Sequence, residues 1–542
     1  MNEMPSETKK LLDSYYKKQQ VTIVVAKDSG DVNEGLTPMH VNLIEAPDVA
    51  TMADPEALRS FNEQLKKQTP SWLNVYYKAD GKKDPKPVLK AFVDEVVLGD
   101  KLIKRDHLVS FPMLKDGATY LDIMGTWRIF KDKEAVTYIE NRLTHILKPW
   151  GVYNDGNIVR ARRYTQRYMY QANRRDNPFD HANPNLIAFR NGTFNMATGK
   201  LEPKKPDNYL LNGHDYDLDV SGKPTPATDS LLQDMVGSAA TFLKEYIGYG
   251  FYHSYRPFQK IVFLSGNGGE GKSAFLVDLL ARTIYGADNY AAVPPDELAG
   301  DNARFKPAQL YGKEANIVAD IPKGYLSNTA VLKKLSGGDP IDAEYKGMQN
   351  FTFINYAKLI FSANALPSFT DSSDGMTERL VLINFINGNT RTTNKDFWKK
   401  HDMEVVKSER SAFVYQCIKA FMAAMKRGSL TETSDMKLAR DEWANLNDHF
   451  GQFIDEACEI DTSKDEGDSS KNVVAEYKAF CLENNYSDKT TAQTITENLK
   501  VYGVPKVRSR NGINRNGVND SNNTNRFMGL KLIKSYINPA LG

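Results

Sequence analysis

The chain has 542 residues, with 70 Lys+Arg against 68 Asp+Glu and a formal net charge of +2. At about 100–200 residues per domain, this length predicts three or four domains. The 41% apolar and 25% charged fractions exclude a wholly disordered, collagen-like or membrane-embedded chain. Summed over the whole chain, the near-zero charge suggests no partner at all.

Cys417, Cys458 and Cys481 are widely spaced and form no Cys-x-x-Cys pair, so neither a disulfide framework nor a cysteine zinc site is expected. No apolar run reaches the ~18 residues of a membrane span, and the first residues lack the order of a signal peptide. The sequence reads as that of a cytoplasmic protein in a reducing compartment, with no membrane partner.

Residues 1–110 mix short helical patterns with Pro-containing loops and carry no assignable motif. The next region, 111–235, contains GVYNDGNIVRARRYTQRYMYQANRR (151–175), with six Arg, four Tyr and one Asp. Arginine charge beside aromatic rings suits single-stranded nucleic acid, because phosphates supply the attraction and bases stack on rings. The simpler reading is a solvated helix face with its tyrosines turned inward.

From 257 onward the pattern becomes α/β. Short β-type runs at Ile261–Leu264, Asn316–Ala319, Lys358–Ala363 and Leu380–Ile383 alternate with helical segments, which predicts a parallel sheet covered by helices. The motor region is placed at 236–400. Over 401–454, Val406, Phe413, Cys417, Phe421 and Met425 recur at helical spacing before Gly428, as in a helical lid.

Residues 455–468 carry seven acids and one Lys, and 455–470 is expected to be a solvated linker. Two helices and a β-hairpin with a long Asn/Gly-rich tip are expected across 471–542. Between Lys500 and Lys534 there are eight basic residues and one Asp. Helices followed by a basic hairpin predict a winged-helix module, with Lys506, Arg508, Arg510 and Arg515 on DNA. Positive charge is therefore clustered, and the neutral total conceals it.

The strongest chemical signal is Gly266-Asn267-Gly268-Gly269-Glu270-Gly271-Lys272-Ser273, which matches the phosphate-loop pattern G-x-x-x-x-G-K-[ST]. It follows a β-type run and opens a helix. The glycines let backbone N–H groups face phosphates, Lys272 reaches the β- and γ-phosphates, and Ser273 ligates Mg²⁺. A nucleotide hydrolase also needs a carboxylate near the metal and a group to orient water. Asp320, ending the strand of ANIVADIP, is the expected carboxylate, and Asn364, ending that of KLIFSAN, is placed to contact the γ-phosphate or the water. Tyr345-Lys346-Gly347 reads as a hairpin tip whose lysine can hold a DNA phosphate. Arg379, just before a strand, can serve a neighbouring subunit's γ-phosphate, unless it pairs locally with Glu378.

In this order and spacing, GNGGEGKS (266–273), ANIVADIP (315–322), LKKLSGGDPIDAEYKG (332–347), KLIFSANALPSF (358–369) and the Arg379 segment resemble a superfamily 3 helicase of the AAA+ class. More narrowly, they resemble the phage, plasmid and poxvirus primase-helicases. GTWRIFKD (125–132), NLIAFRNGTFNMATGKLEP (185–203) and FLKEYIGYGF (242–251) resemble the region before the motor in that family.

The resemblance implies an α/β AAA+ motor with a mostly parallel sheet, preceded by a largely helical α+β region and followed by a winged-helix domain. It further implies ATP and Mg²⁺ as cofactors and a hexameric ring moving 3′→5′ on single-stranded DNA in a central channel, with duplex origin DNA bound C-terminally. Asp320 would be the Walker B acid, Asn364 sensor 1, Lys346 the hairpin lysine and Arg379 a finger acting in trans. The chain would be a replicative helicase and initiator of a phage, plasmid or genomic island in a bacterial host. An origin-binding switch that does not unwind, or a primase-helicase with a degenerate primase domain, is the alternative. Many relatives carry two adjacent Walker B acids, whereas Ala319-Asp320 stands here; Glu314 and Asp339 are the possible substitutes for the missing base.

Overall fold

A computed structural model describes residues 46–81, 86–112, 114–131, 133–174, 176–299, 305–321, 325–326, 329–344, 350–364, 368–369, 374–484, 486, 491–513, 519–520 and 522–537. They divide into two compact units, one comprising residues up to 121 together with 127–177, the other 122–126 together with everything from 178 onward. The division falls at neither 110 nor 235.

In the first unit, helix α1 (Pro55–Lys67) is opened by Asp54, whose carboxylate accepts from Glu56 N–H, and by Pro55 at its first turn. It packs on the antiparallel ribbon β1 (Leu73–Ala79) and β2 (Pro87–Val93). Then come α2 (Glu95–Arg105), strands β3 (Val109–Phe111), β4 (Leu114–Leu121) and β5 (Thr126–Ile129) in one sheet, and helices α3 (Glu134–Leu147) and α4 (Asp155–Tyr168). Trp72, Leu98, Leu102, Ile139, Leu143 and Ile158 share one core, so the segments before and after residue 110 belong together.

The second unit begins with a small sheet in the order β8 (Lys200–Glu202), β7 (Gly192–Asn195), β6 (Leu186–Phe189), β9 (Gly213–His214). The region preceding the motor is thus less helical than expected. Helices α5 (Pro226–Val236) and α6 (Ala240–Gly250) lead to the main sheet. Its strands are β10 (Ile261–Ser265), β11 (Tyr290–Ala291), β12 (Ala315–Val318), β15 (Lys358–Ala363) and β16 (Leu380–Asn384), in the order β11-β12-β15-β10-β16, all parallel. Helices cover such a sheet on both faces, which is why its strands read as near-continuous apolar runs; every residue of β12 and of β15 is buried. Between β12 and β15, helix α8 (Ala330–Gly337) precedes the antiparallel hairpin β13 (Pro340–Ala343) and β14 (Phe351–Ile354).

Helix α7 (Ala274–Tyr285), wound wide with i→i+5 hydrogen bonds, buries Phe275, Leu276, Leu279, Leu280 and Ile284. The expected lid is part of the same core: α9 (Arg410–Arg427) packs on α6 so closely that a Cβ on Gly248 would lie 2.0 Å from Cys417 O. Phe413, Val414 and Phe421, with Met436 and Trp443 of α10 (Ser434–Asn447), join the core of the sheet, as do Ile187, Phe189 and Phe194 from the small sheet.

The acidic segment is not a solvated linker. Helix α11 (His449–Ala457) buries Phe450, Phe453 and Ile454, and the chain continues into β17 (Cys458–Ile460) and β18 (Gly467–Ser469), all three residues of which are buried. The apolar spacing beneath the acids decides the structure, while Asp455, Glu456 and Glu459 point outward. Helices α12 (Ser470–Glu483) and α13 (Ala492–Val501) follow, then β19 (Lys506–Ser509), β20 (Gly512–Ile513), β21 (Asn519–Asp520), β22 (Thr524–Met528) and β23 (Leu530–Leu532). These residues have their own core around Phe453, Val473, Phe480, Leu499 and Phe527. The three cysteines are free and buried. Among the described residues, no helix is long and apolar enough to cross a membrane.

Candidate nucleotide site

The phosphate loop leaves the C-terminal end of β10, the strand between β15 and β16. Gly268, Gly269 and Gly271 hold φ of +97°, +88° and +89°, a region that costs any L side chain about 1–2 kcal/mol. The loop also has no space for side chains: a Cβ on Gly269 would lie 2.2 Å from Asn389 Nδ2, and one on Gly271 2.4 Å from the Trp398 ring.

Those neighbours belong to a brace that sequence reasoning missed. Asn389 Nδ2 donates to Gly268 O at 3.0 Å, the Thr390 hydroxyl and N–H both donate to Gly269 O at 2.8 Å, and Asn387 Nδ2 donates to Glu270 O at 2.7 Å. Trp398 Nε1 in turn donates to the Thr390 hydroxyl at 3.2 Å. Three successive carbonyls are tied down from outside, which leaves the loop's N–H groups for an anion. The Asn/Thr-rich run 387–394 was the available signal, and by itself it reads only as a turn.

An anion already occupies this cradle. The Glu270 carboxylate accepts from Gly268 N–H at 3.0 Å and from Lys272 Nζ at 2.9 Å, folded back so far that a Cβ on Gly266 would lie 2.9 Å from Glu270 Cδ. Both side chains are buried. Burial pushes the Glu270 carboxyl up, but its bonds to Lys272 and to backbone N–H groups outweigh this and hold it below the usual carboxylate range. The carboxylate stands in for a phosphate oxygen, so the residues present fit a polyphosphate. Lys272 Nζ also donates to Asn364 Oδ1 at 3.1 Å, which brings the end of β15 to the loop.

Asp320 is exposed, just past the C-terminal end of β12, and Asn364 is exposed at the same end of β15. The register Val318↔Phe361 and Leu264↔Ser362 puts Asp320, Asn364 and the loop along one edge of the sheet. Ser273 opens α7. A hydroxyl and a carboxylate are hard oxygen donors of the kind Mg²⁺ takes together with phosphate oxygens.

Arg379 sits at the other edge. Leu380 pairs with Ile261, so Arg379 lies about five residues, roughly 16 Å, from the loop end of β10. Among the described residues it pairs with no acid: Nη2 donates to Gln259 Oε1 at 2.8 Å and Nη1 to Gly375 O, while Nε is buried and finds no partner among them. Gln259 itself is left-handed, with φ +52°.

Neither substitute base reaches the phosphate edge. Glu314 precedes β12 at the opposite end, fully buried, with Oε1 3.3 Å from both His214 Nε2 and His253 Nε2. Burial raises its pKa, but the two imidazoles more than offset that and hold it low. Asp339 precedes β13, and a Cβ on Gly337 would lie 3.0 Å from its Oδ2 and 4.0 Å from Arg379 Nη2, which puts it at the Arg379 edge.

Lys346 lies outside the described residues, although the arms that flank it pair as expected, Ala343 with Phe351. Arg515 is likewise outside them. Lys506, Arg508 and Arg510 are exposed on or beside β19, which pairs antiparallel with β22. Arg526, by contrast, is fully buried and donates to Ser509 O and Asn522 O at 3.2 and 3.0 Å, so one basic residue of that stretch is structural.

Residues 116–237 match the family described as "D5 N terminal like", and residues 264–379 match a family of unknown function (DUF5906). Among solved structures, the chain is similar to the apo A form of the NrS-1 C-terminal region at 13% identity and TM-score 0.39, over 76% of this chain and 96% of that one. A second apo structure of that region matches at 13% identity and TM-score 0.38, over 80% and 99%. A JCV helicase bound to a small molecule matches at 10% identity and TM-score 0.24, over 41% and 60%. All three TM-scores lie below 0.5.

Proposed function

We propose that this chain, a relative of the phage and plasmid primase-helicases by its D5-type segment and its motor motifs, is an ATP-driven replicative DNA helicase of the superfamily 3, AAA+ type. The observation that carries the proposal is the edge of the main sheet. A glycine loop with Lys272 already on an anion lies one strand away from Asp320, and the strand between them delivers Asn364 to within 3.1 Å of Lys272.

In this reading the loop N–H groups and Lys272 bind the β- and γ-phosphates of ATP. Glu270 must first leave the cradle. Ser273 and Asp320 would hold Mg²⁺, which when bound neutralises charge on the phosphate oxygens. Asn364 orients the γ-phosphate or the attacking water. Arg379, about 16 Å from its own loop, would serve the γ-phosphate of a neighbouring subunit in a ring, hexameric as in the family; that distance from its own loop supports a role in trans.

The hairpin carrying Lys346 would follow single-stranded DNA 3′→5′ through the channel. The C-terminal order of helix, strand, two helices and antiparallel hairpin supports a winged-helix reading, with Lys506, Arg508, Arg510 and Arg515 on duplex origin DNA.

The trans arrangement is tested by mixing. Lys272→Ala and Arg379→Ala should each abolish ATP hydrolysis alone, while a mixture of the two recovers part of it, because some interfaces then pair an intact loop with an intact finger. Arg379→Ala with full activity alone would refute the finger. An inactive mixture of variants shown to co-assemble would refute the shared site.

A further inference from the structure

The motor reading leaves the arginine- and tyrosine-rich stretch in the first unit without a role, and the structure turns it into a patterned face. Helix α4 is capped by Asn154, whose Oδ1 accepts from Asn157 N–H at 2.9 Å. At about 100° per residue, Ile158, Ala161 and Thr165 fall on one side and are buried, the first two in the core shared with α2 and α3. Arg162, on the flank, pairs with Glu140 at 2.9 Å.

Arg160, Arg163 and Arg167 fall on the opposite arc and are exposed, while Tyr164 and Tyr168 lie along one flank of the helix, between that arc and the buried side. Arg163 and Arg167 make no ion pair among the described residues, and Arg160 donates only to the neutral Asn157 amide. Among the described residues the acids near this face are Asp100, which accepts from the Tyr164 hydroxyl at 3.0 Å, Asp94, which acts on the same tyrosine, and Asp155 in the first turn.

Tyr164 packs its ring against α2, where a Cβ on Gly99 would lie 2.4 Å from it, but Tyr153, Tyr168 and Tyr170 are exposed. Tyr164 and Tyr168 stack ring on ring at 4.2 Å and 24°, with Tyr168 58% exposed and Tyr170 beyond it 44% exposed. An ordinary solvated helix face intersperses acids with its bases and keeps large rings in the core. Unpaired arginines beside an exposed ring stack match phosphates and unstacked bases instead. A duplex would satisfy the arginines but offers no free base faces to the rings.

We propose that this face of α4 is a docking site for single-stranded DNA, separate from the motor and present whether or not the motor unwinds. The test uses the full chain without nucleotide, labelled oligo(dT), and binding measured between about 50 and 200 mM salt. Single-strand binding loses about 0.7 in the slope of log K against log salt for each phosphate contact removed. Replacing Arg160, Arg163 and Arg167 together by Gln should therefore flatten the slope by about 2. Tyr168→Ala should weaken binding about five- to a hundredfold with the slope unchanged.

All four side chains are exposed, and an unchanged thermal melt verifies that the variants fold. Thymine crosslinks formed under ultraviolet light should map to 160–170 in the wild type and in Lys272→Ala, which separates this site from a failure of the motor reading. Wild-type slope and affinity in the arginine variant, or crosslinks confined to residues after 250, would overturn the proposal. An equal loss of duplex binding in Tyr168→Ala would overturn the single-strand assignment.

Discussion

Glu270 gives the sharpest test of the nucleotide site, because replacing it should improve binding. Its carboxylate holds Gly268 N–H at 3.0 Å and Lys272 Nζ at 2.9 Å, the donors a triphosphate needs. A hydrogen bond to an ionised group contributes about 1.5–3 kcal/mol net, and the Glu270–Lys272 contact must be broken before ATP can seat. Glu270→Gln keeps the shape and removes the charge, so the nucleotide-free state loses about that much competition. The expected result is ATP affinity about 10- to 150-fold tighter, read by equilibrium titration with a fluorescent ATP analogue. Because the Glu270 carboxyl is held below its usual range, it stays ionised at neutral pH, and the wild-type affinity should not change between about pH 6 and pH 8 on its account. Equal or weaker binding by Glu270→Gln would show that the carboxylate does not occupy the phosphate position, and the assignment of the cradle would fail with it.

Two further outcomes follow from local geometry. Gly269→Ala forces a side chain into φ +88° and to within 2.2 Å of Asn389, and should destabilise the loop by about 1–3 kcal/mol, seen as a lower melting temperature and weaker ATP binding; a wild-type melt would refute the brace. Lys358 is fully buried, donates to Tyr252 O at 2.8 Å and Tyr356 O at 2.7 Å, and burial drives its pKa well below the usual lysine value. Between the folded and unfolded pKa values the unfolded chain binds more protons, so wild-type stability relative to Lys358→Met should rise with pH, by up to about 1.4 kcal/mol per unit. Denaturant unfolding from about pH 7 to pH 9 measures this, and a constant gap would contradict the burial argument.

The sheet and its loop were legible because both are local. The β-type runs at Ile261, Lys358 and Leu380 begin on the residues where the observed strands start, and a glycine loop between strand and helix has few other uses. What could not be read depends on long-range partners. Glu314, Lys358 and Arg526 look like surface charges in sequence, yet each is fully buried, with imidazoles or backbone carbonyls as partners that the fold brings to it. The acids after 455 suggest a linker by their charge, but the apolar spacing of Phe450, Phe453 and Ile454 builds a helix that runs into them. The brace at 387–390 is invisible without the fold, since its function is only to hold three carbonyls of the loop.

Unwinding of a forked DNA duplex, compared between the wild type and Lys272→Ala, tests the central claim most directly. The account predicts ATP-dependent strand separation by the wild type on a fork with a 3′ single-stranded arm, and none by the variant. ATP hydrolysis by the wild type with no unwinding on a fork of either polarity would contradict it and leave an ATP-driven switch on DNA in its place.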